Sequence, residues 1–264
     1  MMRAGVRAAE TEGTGTGVTV AISTLGSRVG GLSLPPQVAG ISYLVLIQRP
    51  GKTAAAALQA RGDVRFETLE TVGLSYSRNA ALALADGAFV LFSDDDLVLD
   101  PQGILALRDL LVANPRLTFA AGWRRERLPR SGRRAGIRRL GLFNSGRICA
   151  PELLVRRRRV MRAGIWFDPN FGIGARYPVG EEYAFVSDML KARLRGQSVP
   201  IVTGSHPHES TGDDWMDDRL LVARQALLRR VFGIRAPVIR MLYAIRHRRR
   251  LGGAGAALRF GLGY

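Results

Sequence analysis

Cysteine is nearly absent from this chain. The one present, Cys149, rules out an internal disulfide and reads as a small buried apolar residue in a reducing compartment. Lysine is almost as scarce. Of 39 basic residues only Lys52 and Lys191 are Lys, a bias that base composition alone can produce. No run of 18 apolar residues occurs, which excludes a bilayer-spanning helix. The N-terminal residues lack an apolar stretch of the kind a secretory signal needs, and 1–17 read as a flexible leader of a cytoplasmic protein. Acids are missing altogether from residues 219–264, which hold 11 Arg; residues 124–162 hold 14 Arg against Glu126 and Glu152. With a total of +17, the rest of the chain is therefore net acidic, and two segments carry the excess positive charge. Such segments meet polyanions: phospholipid headgroups, diphosphate-linked acceptors or nucleic acid.

What is present is a succession of short apolar runs and helical stretches. Residues 18–23 (VTVAIS), 41–48 (ISYLVLIQ), 64–69, 89–92, 117–123, 153–155 and 199–202 read as buried strands. Helices are expected over 53–60, 77–85, 103–113, 156–163 and 180–194. Strand and helix alternating at this spacing predict an α/β fold, a mainly parallel sheet flanked by helices. The stretch 124–144 has little apolar periodicity and reads as a long mobile loop at the rim of a site. Residues 219–232 and 238–245 form amphipathic helices, giving a basic helical extension over 216–264 that fits an anionic membrane face. The expected division is 18–123 and 124–215 for the two halves of the α/β body, and 216–264 for the tail.

The most informative segment is 73–99, GLSYSRNAALALADGAFVLFSDDDLVL. A helix bearing Arg78 and Asn79 leads into a buried strand that ends on Asp94, Asp95 and Asp96. In open α/β sheets ligands bind beyond the carboxyl ends of the strands, and three acids there repel unless a cation joins them. Oxygen ligands suit Mn or Mg. Arg78 near a helix start adds to a phosphate-holding field, while Asn79 reads as a structural hydrogen-bonder. The second segment, 167–188, places Gly172 and Gly174 ahead of Glu181 and Glu182 at a helix start, where a carboxylate can accept a proton from an attacking hydroxyl. The third, 206–211 (HPHEST), offers His206 and His208 as further metal ligands.

These pieces, in this order over residues 18–212, resemble an inverting family 2 glycosyltransferase of the GT-A fold, those of bacterial surface-polysaccharide assembly in particular. The resemblance implies that Thr24 and Arg28 lie near the nucleotide and that Arg78 supports its pocket. It implies that Asp94 and Asp96 are the DxD acids holding a divalent metal and the sugar diphosphate, with Asp95 beside them. Glu182, or Glu181, would be the general base, and His206 or His208 would approach the metal. Many relatives read uridine with an acid after the second strand. Here the text is QRPGK, and Asp63 is a weak substitute. The implied partners are a nucleotide-diphosphate sugar, a glycan or lipid-linked acceptor, and the inner face of the cell membrane. Two competing readings exist. A sugar-nucleotide nucleotidyltransferase needs a glycine-rich basic signature after the first strand, and STLGSRVGG has no lysine. A nucleic-acid-binding protein without catalysis accounts for the arginines but not for acids at a strand end.

Overall fold

The computed structural model describes residues 15–49, 60–206, 212 and 214–263; the helix expected over 53–60 falls almost entirely outside them. The strands are β1 (Val18–Leu25), β2 (Ile41–Gln48), β3 (Val64–Leu69), β4 (Phe89–Asp94), β5 (Val98–Leu99), β6 (Leu117–Arg124), β7 (Arg138–Arg139), β8 (Leu153–Arg156) and β9 (Arg195–Ser205). The helices are α1 (Leu74–Leu84), α2 (Pro101–Ala113), α3 (Arg157–Arg162), α4 (Glu181–Lys191), α5 (Asp218–Phe232), α6 (Ala236–Arg246) and α7 (Ala254–Leu262).

One sheet runs β3-β2-β1-β4-β8-β6-β9-β5, with β7 also on β9. β1 to β4 are parallel to one another, β6 is parallel to β9, and β8 runs against both β4 and β6. The predicted boundary between 123 and 124 falls inside β6, so a single sheet crosses both halves. Seven of the eight β1 residues are buried, as a strand covered on both faces requires. Alternate side chains go to opposite layers. Ala21, Leu44, Val90 and Phe92 pack with Leu82 of α1 and with Phe185 and Met189 of α4. Val20, Ile22, Tyr43 and Leu91 pack with Ile104, Leu107 and Leu111 of α2.

Helix α2 lies so close to the sheet that a Cβ on Gly103 would fall 1.6 Å from the Val202 carbonyl oxygen. Asp100 caps this helix, its carboxylate accepting from the Gly103 amide at 3.1 Å; the strand-end acids Asp94 to Asp96 are left to another task. Asn79 is structural, as expected. Its side chain donates to the Phe167 carbonyl at 2.9 Å and accepts from the Phe167 amide at 2.8 Å. This clamp sets Phe167 under the site, stacked on Phe185 at 4.0 Å and edge-on to Phe92 at 5.0 Å.

The segment 124–144 differs from the predicted mobile loop. β7 pairs Arg138 with Ser198 and Arg139 with Gln197, Leu140 is buried, and the Leu142 carbonyl accepts from the Tyr183 hydroxyl at 2.6 Å. Backbone pairing, which leaves no trace in apolar periodicity, ties it down. The tail also differs in part. The apolar side of α5 is already covered: Leu227 and Val231 pack with Phe171 and Ala184 of the α/β body. Beyond it, Leu228, Ala244, Leu251, Ala257 and Phe260 make a small separate core.

Candidate functional site

Strand register brings the first components together. Ser23 on β1 is level with Asp94 on β4, so the ends of both strands share one edge. There Thr24 Oγ1 donates to Asp95 Oδ2 at 2.5 Å, and Arg28 Nη2 meets Asp95 Oδ1 at 2.8 Å and Asp96 Oδ2 at 3.9 Å. Both Asp95 oxygens are thus engaged by the protein. Asp95, expected among the nucleotide-sugar contacts, anchors Thr24 and Arg28, and Asp94 and Asp96 are the more open carboxylates.

Arg78 lies deeper than predicted. Helix α1 starts at Leu74, three residues earlier than predicted, so Arg78 is past its first turn and only 1% exposed. Its guanidinium is turned to three carboxylates. Its Nη1 meets Glu181 Oε1 at 2.8 Å and Glu182 Oε1 at 3.1 Å, and its Nη2 meets Asp94 Oδ1 at 3.4 Å. Burial works against its charge, but Glu182, Asp94 and Glu181 together hold its pKa above the usual arginine range. Its carbon end lies 5.7 Å from the centre of the Phe167 ring. Arg78 supports the pocket from beneath by tying the strand-end acids to the helix-start acids.

Glu181 and Glu182 open α4 after Gly180, whose φ of +100° glycine adopts without strain. Their environments differ. Glu181 is buried, and burial with the neighbouring Glu182 charge pushes its pKa up to about 7 despite the Arg78 contact. Gly172 leaves room for it; a Cβ there would fall 3.1 Å from Glu181 Cδ. The Glu182 side chain is 17% exposed. Its Oε1 takes the Ala150 amide at 3.2 Å as well as Arg78, and its Oε2 receives no hydrogen bond from the described residues. The geometry separates a pair that the sequence left open: Glu182 has the accessible oxygen.

His206 Nε2 lies 3.7 Å from Asp96 Oδ1, and Glu126 accepts from the His206 amide at 3.2 Å and from the Ser205 hydroxyl. Of the four predicted metal ligands, Asp96 and His206 are brought together, Asp94 leans on Arg78, and His208 lies outside the described residues. Among the described residues no three His, Cys, Asp or Glu side chains form a ready cage. That donor set still fits Mg or Mn, which are commonly held by one or two carboxylates with substrate phosphates completing the shell. Asp63, the weak substitute for an acid after the second strand, is bound to Arg61 Nε and Nη2 at 3.0 and 2.8 Å.

One buried network was missed. Glu152 Oε1 accepts from the Arg124 amide and Nε, both at 3.2 Å, and Glu152 Oε2 from Arg147 Nη1 at 2.9 Å and the Cys149 amide at 3.3 Å. It fixes the turn whose Ala150 amide touches Glu182. The available signal was CAPE, an acid three residues after a cap position with Pro between.

Residues 50–163 match the family model for Glycosyl transferase family 2, the stretch that holds Arg78 and the strand-end acids. The chain carries a family 2 glycosyltransferase region. No curated protein matches it, but solved structures share its fold. S. aureus TarS aligns at 13% identity and a TM-score of 0.57, covering 89% of this chain and 44% of TarS. The chain thus spans less than half of TarS. A 1–349 form of TarS in complex with UDP aligns at 15% identity and a TM-score of 0.57, covering 90% of this chain and 72% of that one. Glucosyl-3-phosphoglycerate synthase from Mycobacterium tuberculosis, in complex with Mn2+, UDP and glucosyl-3-phosphoglycerate, aligns at 18% identity and a TM-score of 0.54, covering 82% and 80%. The family 2 region and the sheet around it have the GT-A arrangement, with a helical extension at the C-terminus.

Proposed function

We propose that the protein moves a sugar from a nucleoside-diphosphate donor to an acceptor hydroxyl with inversion at the anomeric carbon. The observation that carries this reading is the joining of two acid groups through one guanidinium. Arg78 lies 3.4 Å from Asp94, at the strand end where a donor diphosphate belongs, and 3.1 Å from Glu182, at the helix start where a base belongs.

Asp96 and His206, with an oxygen of Asp94, would hold a divalent ion. When bound it supplies positive charge that stabilises the departing diphosphate. Arg28, half-exposed above Asp95 and Asp96, adds a cation at the same edge. Glu182 Oε2 takes the proton of the acceptor hydroxyl as that oxygen bonds to the anomeric carbon. The carbon–oxygen bond to the diphosphate breaks, and its electron pair leaves with the nucleoside diphosphate. Attack opposite the leaving group inverts the centre. Glu181 is enclosed and engaged by Arg78, and its part is to position that arginine.

Uridine diphosphate sugars are the donors to test first, since TarS and the synthase were both crystallised with UDP. The acceptor class is a glycan or lipid-linked glycan of the cell surface. Thermal melting with a panel of nucleoside diphosphates, with and without Mn, reads donor binding through linkage. UDP with Mn should raise the melting temperature of the wild type and not that of Asp96→Ala, and the wild type should slowly hydrolyse its donor. A panel without any shift, together with no hydrolysis, would sink this reading.

A further inference from the structure

The last two helices leave an apolar surface that no described residue covers. They run antiparallel, with Arg240 Nε and Nη2 donating to the carbonyls of Gly261 and Leu262, each at 2.9 Å. Ala244, Ala257 and Phe260 face inward onto Leu228 and Leu251. At the seam Met241 is so close to Gly261 that a Cβ there would fall 2.7 Å from its sulfur. Val238, Leu242 and Ile245 on α6, and Leu258 and Leu262 on α7, are 53–65% exposed, and Ile234 just before α6 is 97% exposed.

Helical geometry puts these side chains on one face. At about 100° per residue, Val238, Leu242 and Ile245 fall within about 60° of one another and next to Met241, and Leu258 and Leu262 fall next to Gly261. In an antiparallel pair both stripes then flank the Met241–Gly261 seam on the side away from the core. Single exposed aliphatics are ordinary; a two-helix patch is not. Residues 233–263 also hold seven Arg and no acid. Arg235, Arg246 and Arg259 border the stripes, and Arg248, Arg249 and Arg250 fill the turn between the helices, all exposed.

We propose that this face docks on an anionic lipid surface, its aliphatic side chains entering the acyl boundary while the arginines meet headgroup phosphates. No described helix is long and apolar enough to cross a membrane, so the attachment is peripheral. The composition argues against the other occupants. A second copy would set seven arginines against seven, and a single-stranded nucleic acid would find aliphatic side chains where base stacking needs aromatics. The docking stands apart from the donor chemistry and is tested without it.

The test is co-sedimentation of the full chain with vesicles of phosphatidylcholine, alone or mixed equally with phosphatidylglycerol. Val238→Asp/Leu242→Asp and Arg246→Gln/Arg248→Gln/Arg249→Gln are measured beside the wild type, with melting curves to check folding. The wild type should bind the mixed vesicles at least tenfold better than the neutral ones. Each variant should lose at least tenfold in that binding with an unchanged melt. Wild type that ignores both vesicles overturns the proposal, as does an apolar variant that binds like the wild type. So does a concentration-dependent dimer, seen by light scattering and abolished by the apolar variant, without vesicle binding. RNA held more tightly than vesicles and indifferent to the apolar variant overturns it as well.

Discussion

Arg78 and Glu181 form a buried ion pair at 2.8 Å across 103 residues of sequence. The same guanidinium also serves Glu182 and Asp94, so one cation answers three carboxylates. Removing it leaves Asp94, Glu181 and Glu182 clustered without their shared cation. Arg78→Met should therefore destabilise the protein by about 3–5 kcal/mol, the usual cost of breaking a buried pair from one side. Urea unfolding would measure it, and a loss under 1 kcal/mol would mean that the three acids do not depend on Arg78.

The two glutamates should part company in kinetics. Glu182→Gln should lower turnover roughly 10²–10⁴-fold, the span of general-base contributions, with nucleotide binding unchanged by calorimetry. A Glu182→Gln enzyme that turns over at near wild-type rate would remove Glu182 as the base.

The raised Glu181 pKa makes a pH prediction of definite sign. The folded protein holds this proton up to about pH 7, against an ordinary value of 4.5. The stability it contributes is complete below about pH 4.5 and is lost as pH rises through 7. Melting temperatures of wild type and Glu181→Gln, compared between pH 4.5 and 8, should show the wild type losing ground to the variant. Parallel curves would contradict this.

Arg28 is the opposite case to Arg78. Its side chain is half-exposed, so Arg28→Ala should change stability by less than about 1 kcal/mol while weakening donor binding. The expected result is a raised KM for the donor with a nearly unchanged melting temperature. A large drop in that temperature would show that the Asp95 contact is structural instead.

Much of this was legible from local pattern. β2 and β3 match the predicted bounds residue for residue, because apolar runs closed by Pro50–Gly51 and by polar turns carry their own limits. The acids at the end of β4 and the acid pair opening α4 were legible for the same reason. What was not legible depends on distant partners. Nothing around Arg78 foretells that its charge is met by α4, and nothing around Asp63 shows Arg61 folding back on it. The short β7 is held by backbone pairing, which hydrophobic spacing does not encode. In the tail the apolar faces could be read, but not which helix is covered; only Leu227 and Val231 meeting Phe171 and Ala184 separates α5 from α6.

Leu227 sits directly over Gly180: a Cβ on that glycine would fall 2.5 Å from Leu227 Cδ2. Gly180 immediately precedes Glu181, so the tail acts as a buttress whose footing is one residue from the acid pair. A shift of α5 along its axis would press on the turn from which the acid pair starts. The tail is thereby keyed to the α/β body through one aliphatic side chain, seated where only a glycine leaves room.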